Sequence, residues 1–220
     1  MKPSGSFRLK VSGESACFTR PEMKVERVSY DVITPAAARA VFEAILWKPA
    51  INWRVLQIDV LNPIRWQSVR RNEVGAIIST RTAAKAKKAG RCDLGLYVED
   101  NRQQRANLFL RDVSYVIHAE FEMTKEAGPD DSIAKFQQMF IRRALKGQCF
   151  HRPYFGCREF PVDFEFIPQE AELPAPIDET RDLGWMHYGR DYSRKNPLPQ
   201  FFYAKMKNGS IDLRNVEVRA

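Results

Sequence analysis

Asp112-Val-Ser-Tyr-Val-Ile-His-Ala-Glu-Phe-Glu-Met-Thr124 alternates apolar and polar positions, with Val116 the single exception on its polar face. Val113, Tyr115, Ile117, Ala119, Phe121 and Met123 share one face; Ser114, Val116, His118, Glu120 and Glu122 share the other. Successive side chains of a strand point to opposite sides, so this is a central strand with one core face and one polar face.

The neighbouring segments supply its partners. Upstream, Ser6 to Gly13 alternates weakly through Phe7, Leu9 and Val11 and reads as an edge strand. Thr34-Pro35 is an N-cap followed by proline at the first helical position. The helix it starts carries Ala38, Val41, Phe42, Ile45 and Leu46 on one stripe and stops at Lys48-Pro49. Ile51 to Val60 is β-branched and aromatic, and its apolar phase shifts at Val55-Leu56, which predicts a bulge. Downstream, Ser132 caps a second helix with Ile133, Phe136, Phe140 and Ala144 inward, ending at Lys146-Gly147. Phe160 to Ile167 alternates again.

In chain order this is strand, helix, strand, strand, helix, strand, the ferredoxin-like or RRM-like pattern, so the expected fold class is α+β. The domain is expected over residues 1–167, with a basic insertion, a long hairpin or loop, at about 61–111. Residues 168–220 are Pro-rich and carry a hairpin signal at Asn208-Gly209, flanked by Phe202, Met206, Ile211 and Leu213, which predicts a small antiparallel β appendage.

Charge is concentrated within the chain. Its 220 residues include 35 Lys+Arg and 27 Asp+Glu, a formal net charge of +8. Between positions 65 and 91 stand Arg65, Arg70, Arg71, Arg81, Lys85, Lys87, Lys88 and Arg91 against the single acid Glu73, a local +7. Pro161 to Arg190 holds seven acids against Arg181 and Arg190, a local −5. With the small residues Ala83, Ala84, Ala86, Ala89 and Gly90 among its cations, the basic segment reads as a mobile arm that folds onto the phosphates of a nucleic acid.

Several function classes drop out. No stretch nears the roughly 18 uncharged apolar residues of a membrane-spanning helix. Met1 to Lys10 has no apolar signal core, so a cytoplasmic protein with reduced thiols is expected. Cys149, His151 and Cys157 fit no structural-zinc spacing, so no metal and no cofactor is expected. Motifs of the types GxxxxGK[ST], GxSxG, HExxH and GxGxxG are absent.

The chemistry then narrows to few groups. His151 follows the second helix, and His187 lies in the turn-like Gly184-Trp-Met-His-Tyr-Gly189; both read as surface or aromatic-packed histidines. His118 stands two residues from Glu120 on the polar strand face, about 6–7 Å away along the strand. The two can reach one substrate, or the carboxylate can raise the imidazole pKa; a solvent-facing pair on an open sheet is the alternative. At the first helix end, Trp47 can stack on a base while Lys48 meets a phosphate, or Trp47 can pack in the core beneath a snorkelling Lys48.

Six strings, Ala16-Cys-Phe-Thr-Arg-Pro21, Ser29-Tyr-Asp-Val-Ile-Thr-Pro35, Trp47-Lys-Pro49, Asn62-Pro-Ile64, Arg71-Asn-Glu-Val74 and Gly156-Cys-Arg-Glu-Phe-Pro161, resemble in register the CRISPR-associated RAMP family of subtype I-C, Dvulg type. The resemblance implies an RRM-like domain, an extended basic hairpin and a small C-terminal β-sheet. It also implies metal-independent cutting of the repeat stem-loop in precursor CRISPR RNA, through 2′-OH attack that leaves a 2′,3′-cyclic phosphate. The mature RNA then stays bound by its 5′ handle, in a surveillance complex with backbone and large subunits; target DNA is a further partner the resemblance allows.

The family's tyrosine precedes the Trp-Lys-Pro string, where this chain has Leu46. Its lysine and histidine lie on the strand holding Ile117-His-Ala-Glu-Phe121; here His118 comes first, and Glu120 takes the later place where the histidine is expected. The resemblance thus implies His118 as base or acid, Lys48 as phosphate electrostatics, Glu120 as orienter or second proton-transfer group, and Tyr30 in the tyrosine's role. Trp47 and the eight basic residues of the arm are the expected RNA contacts. A non-catalytic RNA-binding assembly subunit is the alternative, and a DNA-binding regulator a more remote one.

Overall fold

The computed structural model describes residues 3–90, 94–192 and 195–220. It is an α+β structure with antiparallel sheets and few helices. In chain order the elements are β1 (Phe7–Ala16), α1 (Pro35–Ile45), β2 (Ile51–Val60), β3 (Trp66–Val74), α2 (Thr80–Ala89), β4 (Arg102–Met123), α3 (Ile133–Leu145), β5 (Asp163–Ile167), β6 (Arg181–Asp191), β7 (Leu198–Met206), β8 (Ser210–Asp212) and β9 (Val218–Arg219).

The main sheet runs β5-β1-β4-β2-β8. β4 is its spine: the second half pairs with β1 through Leu9↔Ile117 and with β2 through Trp53↔Phe121. The alternation expected from sequence holds, with Tyr115, Ile117, Ala119 and Phe121 all buried on one face. α1 and α3 cover that face, where Phe7, Phe42, Trp53, Phe121 and Phe140 form one aromatic cluster. Ring centroids lie 4.8 Å apart for Trp53–Phe140 and 5.5 Å for Phe42–Phe140. Each such buried ring contributes about 1.5–3 kcal/mol by leaving water. The caps form as their residue types dictate: Thr34 accepts from the Ala37 N–H and Ser132 from the Lys135 N–H. The expected bulge lies between Val55 and Gln57.

The structure departs from the sequence reading in the basic segment, in β6 and in β8. The basic segment forms the expected long hairpin but is not a bare mobile arm, since a helix stands at its end. β3 pairs with the first half of β4 from Trp66↔Leu110 to Val74↔Arg102, and the ten-residue helix α2 sits at the end of that ribbon. The alternation at Ala76 to Ser79 forms no strand. Alanine and lysine favour helix, and Gly90 ends it in the left-handed region at φ 68°. No α2 residue is buried, so no apolar periodicity marks it. The turn-like aromatic stretch 184–189 is likewise part of a strand, β6; register shifts fall between Asp182 and Gly184 and between His187 and Gly189. Glycines at irregularities in a strand carry the same sequence signature as glycines in a turn.

The C-terminal residues form a second sheet, β6-β7-β9. Asn208 and Gly209, at φ 45° and 74°, make the expected tight turn after β7. The strand that follows, β8, pairs with β2 instead and extends the main sheet through Ile58↔Ile211. Leu183, Met186, Phe202 and Ile211 belong to the same buried cluster as Phe42 and Phe121.

Candidate nucleic-acid interface and histidine site

His118 lies on the sheet face opposite the helices, and its partner is not Glu120. Its Nε2 is 2.7 Å from Asp59 Oδ2, with the imidazole 12% and the carboxylate 6% exposed. The other oxygen of Asp59 accepts from Gln57 Nε2 at 2.7 Å and from the Ser210 hydroxyl at 2.6 Å. Burial pushes the Asp59 carboxyl up, but the hydrogen bonds from His118, Ser210 and Gln57 outweigh it and hold the group below the usual carboxylate range. An ionised Asp59 has no proton to give, so His118 carries hydrogen on Nε2 and donates it. That leaves Nδ1 as the ring's acceptor in the neutral state, the arrangement of a histidine held by a carboxylate for proton transfer.

Glu120 points the same way and meets a different partner, Arg54, at 3.5 Å. Asp59, Gln57, Ser210 and Arg54 escaped the sequence reading. The bulge after Val55 was the available signal: it resets the phase of β2 so that Asp59, opposite Val116, faces the side of His118. Ser210 comes from beyond the Asn208-Gly209 turn, and nothing local in the sequence ties it to β2.

The other expected residues are spread over the molecule. Tyr30 is buried on the helix side, beside α1, His151 and His187 in a cavity of about 370 Å³. Burial holds its phenol up, and the Arg20 guanidinium stacks 4.6 Å from its ring. Burial and the charge of Arg190 lower His187. Lys48 is exposed at the end of α1, and Trp47 is 61% exposed rather than packed in the core. Leu46 is fully buried.

Within the arm, Arg71 is an anchor: it pairs with Glu159 at 2.6 Å and stacks on Phe109. Arg65 pairs with Asp112 at 3.5 Å. Arg70, Arg81, Lys85, Lys87 and Lys88 are exposed and form no ion pair among the described residues. Arg91 lies outside the described residues, as does Cys92; Cys17, Cys149 and Cys157 are free thiols.

The family model described as CRISPR-associated protein (Cas_Cas5), of the Cas5d type, matches residues 6–214. The chain belongs to the Cas5d family. It is 54% identical over 212 residues to the CRISPR pre-crRNA endoribonuclease Cas5d of Mannheimia succiniciproducens, covering 94% of each chain. It is 39% identical to the protein of the same name from Thermus thermophilus, covering 94% of this chain and 90% of the relative. Among solved structures, one described as a CRISPR-associated protein superposes with a TM-score of 0.72 at 25% identity, over 100% of this chain and 99% of that one. In this Cas5d-family chain the carboxylate-held His118 and the exposed cations of α2 stand beside relatives named for RNA processing.

Proposed function

We propose that this chain is a metal-independent endoribonuclease that cuts precursor CRISPR RNA in the repeat stem-loop and stays on the 5′ handle. It would do so within the subtype I-C surveillance complex, in the cytoplasm, alongside the backbone and large subunits and with target DNA as a further partner. The reading rests on one observation above the others: His118 Nε2 lies 2.7 Å from the buried carboxylate of Asp59, which orients the ring and engages that nitrogen, leaving Nδ1 to meet the substrate.

In the proposed reaction, His118 Nδ1 takes the proton of a ribose 2′-OH, and that oxygen attacks the adjacent phosphorus. The 5′-oxygen leaves with a proton, giving a 2′,3′-cyclic phosphate and a 5′-hydroxyl. Glu120, held by Arg54, is assigned to orientation or the second proton transfer, and Lys48 to the charge of the phosphorane, although it stands at the end of α1 on the helix side; an unchanged cleavage rate in Lys48→Ala removes it from the set. Tyr30, in the tyrosine's role, would act from the helix side of the sheet; an unchanged cleavage rate in Tyr30→Phe removes it from the set. Trp47, Arg65, Arg70, Arg71, Arg81, Lys85, Lys87, Lys88 and Arg91 are the proposed RNA contacts.

The scaffold is read as a ferredoxin-like, RRM-like domain over residues 1–167 with a C-terminal β appendage over 168–220. The strand order β5-β1-β4-β2, with α1 and α3 on one face, supports that reading. A second reading, a non-catalytic RNA-binding subunit, is favoured by the low exposure of His118 and by Leu46 in the tyrosine position.

Cognate repeat RNA incubated with the protein in EDTA separates the two. Cleavage at a single site, abolished in His118→Ala with RNA affinity retained, is expected; intact RNA with folded, RNA-bound protein would sink the nuclease reading.

A further inference from the structure

The C-terminal end of α1 is held by three separate donors. Ala44 O accepts from the Phe150 N–H at 2.8 Å, Ile45 O from Arg143 Nη1 at 2.9 Å, and Leu46 O from the Trp53 indole at 2.8 Å. These are the carbonyls a helix end leaves open, so α3 and the loop after it are tied to the α1 terminus. Between them lies a cleft of about 670 Å³, walled by Ala40, Trp47, Phe150 and His151 and reached by Lys48 and Arg143. It is on the helix side of the sheet, away from His118.

The cleft is apolar where it should be polar. Trp47 is 61% exposed and Phe150 is 91% exposed, although the backbone of Phe150 is pinned to Ala44. A phenyl ring kept in water forgoes the burial that such rings normally gain, and here the fold holds it out on an anchored backbone. The charged groups of the cleft are mostly cationic: Lys48 and Arg143, with His151 beside Phe150 at a centroid distance of 6.1 Å. The one acid, Glu43, is spoken for by Arg39 at 3.3 Å, and burial pushes its carboxyl up. Flat apolar rings with cations at their edges match a nucleotide that is not base-paired: the base stacks and the phosphate meets the cations.

We propose that the cleft between α1 and Phe150–His151 seats one unpaired ribonucleotide of the bound RNA, its base on Trp47 and Phe150 and its phosphate toward Arg143. The proposal rests on the RNA-processing reading for its ligand and assigns the cleft to holding RNA, not to the chemistry at His118.

The test measures affinity in Phe150→Ala, a substitution of an exposed side chain. The probes are the repeat RNA with its single-stranded flanks, the stem as a blunt duplex, and a free nucleoside monophosphate. The expected result is a loss of about 5- to 100-fold for flanked RNA, restoration in Phe150→Trp, and no change for the duplex. Trp47 fluorescence quenched by the monophosphate would place the preference in the nucleotide itself; quenching by flanked RNA alone would place it in the chain. Unchanged affinity of Phe150→Ala for flanked RNA overturns the proposal. So does unchanged RNA affinity joined to failed assembly with the other complex subunits, which would make the cleft a protein contact. Failure of the nuclease reading registers on a different measurement, as intact repeat RNA after incubation with folded, RNA-bound wild-type protein.

Discussion

Asp59 is 4% exposed and still ionised because three donors reach its two oxygens. Asp59→Asn keeps the shape but presents the ring with an amide, which favours the other imidazole tautomer and takes the acceptor nitrogen from the RNA side. Cleavage is expected to fall on the order of 100-fold or more, with RNA affinity little changed, in single-turnover kinetics. Stability should move as well, by about 1–3 kcal/mol at neutral pH, because the amide leaves one buried group badly paired. The folded pKa of Asp59 lies below its unfolded value, so its contribution is fully present above about pH 4. It is lost as pH falls through the depressed folded value. Urea titrations from pH 7 toward pH 3 should therefore show the gap between wild type and Asp59→Asn closing. Of this site the sequence made His118 legible, through its place on the polar face of an alternating strand. Its true partner sits across a strand pair, 59 residues away in the chain, and pairing register is a tertiary property that β2 alone does not announce.

At the scale of elements, the segments with two independent signals were legible. Helices α1 and α3 combine a capping residue with an apolar stripe, and the second half of β4, from Asp112 on, combines length with alternation, whereas its first half, Arg102 to Arg111, reads as part of the basic insertion. β3, α2 and β6 had one signal or none, since β3 and α2 bury almost nothing and β6 is broken by glycines. The close of the loop before β5 is a further element whose control is local. Gly156 sits at φ 79°, and a Cβ there would lie 1.9 Å from Cys17 O, at the point where the Cys17 N–H binds Phe155 O. No rotamer change relieves a clash with backbone. Gly156→Ala is expected to destabilise the fold by about 3 kcal/mol or more, read as a lower urea midpoint. A midpoint within error of wild type would mean that the loop and the end of β1 part without cost.

The whole molecule turns its formal +8 into a directed surface. Near the sheet, three of the arm's cations are neutralised: Arg71 by Glu159, Arg105 by Glu73, and Arg65 by Asp112. Farther out, Arg81, Lys85 and Lys88 recur at helical spacing on one side of α2, exposed and without an acid among the described residues. Like charges four apart destabilise an isolated helix by about 0.2–0.5 kcal/mol, and α2 buries no residue to offset that. A polyanion along the stripe would remove the repulsion and release counterions together, so RNA binding should both order α2 and carry a steep salt dependence. Replacing Arg81, Lys85 and Lys88 by glutamine is expected to flatten the log–log slope of affinity against salt by roughly 0.7–0.9 for each phosphate that the variant no longer neutralises. The rate at saturating RNA should stay unchanged, because the stripe is remote from His118 along the ribbon of β3 and β4. Lys87→Gln, on another side of the same helix, should move the slope by less than any residue of the stripe. A triple variant with the wild-type slope would leave α2 as a solvated helix face, and the RNA backbone would then have to run elsewhere on the protein.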